Sequence, residues 1–119
     1  MPAVVTLCAL ITVLSSLPAS AATTATGPCQ YGGKWRLTVD VYDATHLRVI
    51  FVIQNVTPGS AWQLFGSDGG RAFITRYKTA DVNGVVRARW RPLDRPGTDA
   101  IEAAGSGDGN TCSGQLSFG

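Results

Sequence analysis

From Lys34 onward, apolar and polar residues alternate with a period of two, interrupted only where Gly, Pro, Asn and Asp cluster. That period sends successive side chains to opposite faces of an extended backbone, so each run reads as a strand with one buried side. In KWRLTVDVY (34–42), Trp35, Leu37, Val39 and Val41 share one face. In HLRVIFVI (46–53), Leu47, Val49, Phe51 and Ile53 form the inner face, and Ile50 and Val52 opposite them mark a strand covered on both sides for part of its length. AWQLF (61–65) turns Trp62 and Leu64 inward, and RAFITRYKT (71–79) follows as a fourth strand. VVRARW (85–90) alternates Val86, Ala88 and Trp90 with arginines, DAIEAAG (99–105) is a sixth strand, and TCSGQLSF (111–118) is the last.

The interruptions carry turn chemistry. DAT (43–45), NVTPGS (55–60), GSDGG (66–70), DVNG (81–84), LDRPGT (93–98) and GSGDGN (105–110) supply residues that fix φ or tolerate positive φ. Asn83-Gly84 is the strongest hairpin signal among them. Apolar spacing of three and four is sustained nowhere, so no amphipathic helix is predicted. Seven short strands at regular spacing predict one domain, all-β, an antiparallel sandwich.

The head of the chain differs. Residues 3–17 are almost wholly apolar, no charged side chain precedes Lys34, and LPASAA (17–22) places small Ala19 and Ala21 around Ser20. This is the form of a secretory signal peptide cut after Ala21. The apolar run falls short of the ~20 residues a spanning helix needs. Leu7 and Pro28, which precede Cys8 and Cys29, are not the small residues of a lipoprotein signal. The expected organisation is a signal peptide over 1–21, a disordered Ala- and Thr-rich leader over 22–28 and a sandwich over 29–119. The mature chain is then extracellular, monomeric and without a transmembrane anchor. Of three cysteines, Cys8 leaves with the signal, and Cys29 and Cys112 are predicted to form one disulfide.

Several segments carry a resemblance: Cys29, the W-x-L-x-V of Trp35 to Val39, PGSAWQL (58–64), PGTDAIEA (96–103) and the closing TCSGQLSF. Together they resemble small exported proteins of actinomycete type with an immunoglobulin-like sandwich and no generally assigned activity. The likeness spans nearly the whole mature chain. It implies a fold and carries no catalytic residue, because its motifs are packing and turn motifs. The cysteines depart from antibody domains, whose bridge links two mid-chain strands across the core.

Composition adds little until placement is considered. Ten Lys and Arg against eight Asp and Glu give a net charge of +2, far from a polycation. Yet Arg87, Arg89 and Arg91 occupy alternate positions, and Arg76 and Lys78 alternate just before the Asn-Gly turn. Folded as a hairpin, either register sets like charges opposite one another, Arg76 against Arg89 or Arg91 and Lys78 against Arg87 or Arg89. That costs a few tenths to about 1 kcal/mol per pair. One reading is a solvated face whose long stems cover the sheet. The other is an anion-binding surface for anionic cell-envelope polymers, since the guanidinium fork grips two oxygens. Tyr77 falls on the opposite side of its strand, leaving the cations without a stacking platform, so nucleic acid is not expected.

Catalytic chemistry has little to stand on. His46 is the single histidine, no elbow motif frames a serine, and a paired cysteine leaves no metal set beyond carboxylates. Asp94, Asp99 and Glu102 could form a carboxylate pair, although Asp94 and Asp99 flank a Pro-Gly turn they would brace. SDGG (67–70) and DGN (108–110) lack the further carboxylates of a calcium loop. The expectation is a non-enzymatic module without cofactor or metal. All three tryptophans fall on apolar faces and read as core. An alternative function is inhibition of a secreted protease or glycosidase through the rigid loop RPLDRPGTD (91–99).

Overall fold

The computed structural model describes residues 22–119, and the expected signal peptide lies outside them. Nine strands form: β1 (Thr23–Pro28), β2 (Lys34–Val41), β3 (Leu47–Gln54), β4 (Ala61–Asp68), β5 (Arg71–Ala72), β6 (Arg76–Thr79), β7 (Val86–Trp90), β8 (Asp99–Gly107) and β9 (Asn110–Phe118). One sheet runs β1-β2-β3-β7; the facing sheet runs β5-β4-β8-β9, with β6 also paired to β4. All pairings are antiparallel. The order β2-β3-β7 against β9-β8-β4 matches the A-B-E and G-F-C arrangement of an immunoglobulin-type sandwich.

The two inner faces meet across one apolar core. Leu37, Val39, Leu47, Val49, Phe51, Ile53, Val86 and Ala88 from one sheet bury against Trp62, Leu64, Ile101 and Ala103 from the other. β8 lies centrally and is built of small residues for a packing reason. A Cβ on Gly105 would come within 2.5 Å of Ile53 Cδ1, and one on Gly107 within 2.6 Å of the Trp62 indole. The Cys29–Cys112 disulfide forms as expected, joining the segment after β1 to β9. Both cysteines are buried in the core. A disulfide fits an oxidising compartment. No helix among the described residues is long and apolar enough to cross a membrane.

Four expectations are corrected. The leader over 22–28 is an edge strand rather than disordered: Thr23 to Pro28 pair with Val39 to Lys34. Its alternation is hidden because its residues are small, and Gly27 is the position over which the Trp35 indole lies, 2.7 Å from where a Cβ would sit. Trp35 is accordingly half-buried between Gly27 and Gly114, whereas Trp62 and Trp90 are core. The run 71–79 is two strands, since the chain leaves the ladder over 73–75, where Phe73 turns to cover Gly66. Finally, β6 and β7 do not pair. β6 joins β4 and β7 joins β3, so the Asn-Gly turn carries the chain from one sheet to the other.

That last correction has a local cause. The 81–85 turn is tied to the link between β3 and β4 rather than closing a hairpin. Val56 N donates to Gly84 O (3.2 Å), Gly59 N to Ala80 O (2.9 Å) and Ala80 N to Ser60 O (2.8 Å). Two sheet-to-sheet crossings thus stack on each other. Gly84, at φ 72°, sits where a Cβ would be 2.3 Å from Val56 O, so only glycine fits.

Candidate functional site

An open cleft of about 850 Å³ lies along one side of the sandwich, where the free edges of β5, β6 and β7 approach each other. Each of the five predicted cations lines it: Arg76, Lys78, Arg87, Arg89 and Arg91. They arrive by a different route from the one the alternation predicts. Arg76 and Lys78 stand opposite Leu64 and Trp62, so they point to the inner side of their sheet, at its edge. Arg87 and Arg89 stand opposite Val52 and Ile50, on the outer side of the facing sheet. The groups converge because the two edges are neighbours, and Arg76 Nη2 reaches across to donate to Arg89 O at 3.3 Å.

Being on separate sheets relieves the direct like-charge opposition of a hairpin. Both readings of the arginine row then have physical content. Val52 is 2% exposed although it faces outward, and Arg87 lies directly across from it, so the arginine stem covers apolar surface. The charged ends have no carboxylate partner among the described residues.

Arg71 and Arg95, which alternation did not single out, also line the cleft. Seven of the chain's ten Lys and Arg therefore gather here. None is neutralised: among the described residues the ion pairs are Arg48–Asp40 and His46–Asp43, both elsewhere. Arg91 is steadied by the Tyr42 ring, its Cζ 4.2 Å from the centroid. Tyr77 does not line the cleft; its hydroxyl accepts from Gln63 Nε2.

The interior wall is apolar and fixed. Phe73 and Trp90 pack with centroids 5.5 Å apart, and Trp90 Nε1 donates to Ile74 O at 2.7 Å. The 91–98 segment forms part of the rim: Leu47 N donates to Pro92 O, Asp94 N donates to Thr45 O, and Arg91, Pro92, Leu93 and Arg95 line the cleft.

A carboxyl cluster at the same end was only partly legible. Asp68, which also lines the cleft, is 7% exposed, and Asp99 is 3% exposed. Both face inward, because Asp68 pairs with Ile101 and Asp99 lies two residues before it. Burial, a hydrogen bond with Asp68, the Asp68 charge and then the Asp94 charge push Asp99 up to about 7. Asp68 Oδ2 is buried without a hydrogen-bond partner among the described residues, and its carboxyl neighbour is Asp99. The cluster joins the Gly69-Gly70 turn to the start of β8, a bracing role. Glu102 lies on the outer face and does not join it. No group of three His, Cys, Asp or Glu suited to a metal occurs among the described residues. His46 contacts Asp43 and Thr45 in its own turn.

No family model, no curated protein and no solved structure matches this chain.

Proposed function

We propose that this protein is an exported, non-enzymatic binding module that captures anionic cell-envelope polymers in the arginine-lined cleft. The observation that carries the reading is the gathering of seven unpaired cations around one concavity in a chain whose net charge is only +2. Placing so many like charges together disfavours the fold and is offset when an anion arrives. Arginine supplies most of them, Lys78 being the one ammonium, and planar forks suit phosphate and carboxylate oxygens. The signal-like N-terminus and the disulfide support an exported site of action.

Capture of this kind is electrostatic and therefore salt-sensitive, since the screening length is about 10 Å at 0.1 M ionic strength. The test is retention on a heparin or wall-polymer column at low salt. Wild type elutes late, and the Arg87→Ser/Arg89→Ser double variant elutes at clearly lower salt. Both side chains are exposed, and because the Arg87 stem covers Val52, the thermal unfolding of the variant is measured alongside its retention. Equal elution of the two proteins would remove the reading.

A further inference from the structure

Along each wall of the cleft an apolar stretch is bracketed by cations. On one side Arg71 and Arg76 flank Ala72, Phe73 and Ile74; on the other Arg91 and Arg95 flank Pro92 and Leu93. Ile74 is 68% exposed and Leu93 53% exposed, although each is a large aliphatic side chain. Singly they would need no explanation. Here they share one concavity with the Phe73–Trp90 pair, and the bond from Trp90 Nε1 to Ile74 O fixes that wall in place. A polymer that is charged along its whole length uses the cations and leaves this apolar strip wet. An anion with a hydrocarbon tail uses both.

From this we infer that the cleft is selective for amphiphilic anions: a phosphate-bearing head held by the arginine forks and a single hydrocarbon chain laid over Ile74, Leu93 and the edge of Phe73. The inference rests on the anion-capture part of that reading and puts a lipid-like phosphate, in place of a uniformly charged polymer, as the ligand that fills the cleft. The open cleft, about 850 Å³, is large enough to seat a small ligand. Charge complementarity sets the head, because the cations on the rim lack carboxylate partners. The tail adds affinity through removal of apolar surface from water, worth about fourfold per fully buried methylene.

The experiment is calorimetric titration of the oxidised protein with alkyl phosphates from butyl to decyl, each below its micelle-forming concentration, with inorganic phosphate as the tail-less reference. Affinity is expected to rise two- to fourfold per added methylene. In the Ile74→Ser/Leu93→Ser variant, which changes only exposed side chains, that slope flattens while affinity for inorganic phosphate is unchanged. Binding of all homologues with equal affinity overturns the amphiphile inference and leaves anion capture standing. A slope that survives the double variant places the tail elsewhere and also overturns it. Failure to bind any phosphate, together with loss of heparin retention, overturns both readings.

Discussion

A carboxyl group buried against two others holds its proton to unusually high pH, and Asp99 shows the consequence at the scale of one residue. Desolvation first, and then Asp68, keep it protonated up to about pH 7, against 3.8 for a free aspartate. Between those values the folded chain binds a proton that the unfolded chain has released, so stability must fall as pH rises. The contribution is fully present below about pH 4 and is lost as pH climbs through about 7. At about 1.4 kcal/mol per pH decade, the loss is at most about 4 kcal/mol. Urea unfolding at pH 5 and pH 8 measures it, and wild type is expected to have the lower midpoint at pH 8. Asp99→Asn, whose amide still donates to Asp68, should unfold at nearly the same urea concentration at both pH values. A wild-type midpoint that does not move would show that the pair is not buried together. Sequence alone read Asp99 as a loop brace and Asp68 as a turn residue, because their meeting depends on β4 and β8 being neighbours.

At the scale of elements, the alternation located each buried face but not each partner. β3, β4, β7 and β9 bury the residues that the period assigns inward, Trp62, Leu64, Val86, Ala88, Trp90, Cys112 and Phe118 among them. Where side chains are small the signal fades, which is why β1 read as a disordered leader. Where a strand is an edge, both faces carry polar groups, as in β6, and pattern gives no pairing. The Asn83-Gly84 signal was correct as a turn and misleading as a hairpin, since its geometry also serves a crossing between sheets. Gly84→Ala tests that crossing. The positive φ and the nearby Val56 carbonyl should make it destabilising by roughly 1–3 kcal/mol. Thermal unfolding would report this as a lowered Tm, and an unchanged Tm would mean that the two crossings are not locked together.

For the whole molecule, the disulfide and the cleft close opposite sides of the sandwich. β1, β2 and β9 meet near Cys29–Cys112, while β5, β6 and β7 border the cations. The bridge closes a loop with a sequence separation of 83, which in chain-entropy terms stabilises by up to about 4.5 kcal/mol. That is a large share of the ~5–15 kcal/mol typical of a folded domain. Reduction with dithiothreitol should therefore lower the urea midpoint sharply. The same molecule with both cysteines replaced by serine should behave like the reduced form. The cations act in the opposite sense: the close-set charges of the cleft repel, so moderate salt or added phosphate should raise Tm in wild type and do so less in Arg87→Ser/Arg89→Ser.

The amino-acid order by itself determined the buried faces of the strongly alternating strands and the turns, because these rest on local stereochemistry, and it left Cys29 and Cys112 as the pair once Cys8 was assigned to the expected signal peptide. It also put Arg76, Lys78, Arg87, Arg89 and Arg91 on one face of a single hairpin, a grouping that survives although the hairpin does not. Only the tertiary structure decided that those residues belong to different sheets, that Arg71 and Arg95 join them, and that Asp68 meets Asp99. Such meetings bring together residues far apart in the chain. They follow from which sheet buries which face, a property of the packed whole that no period of two can encode.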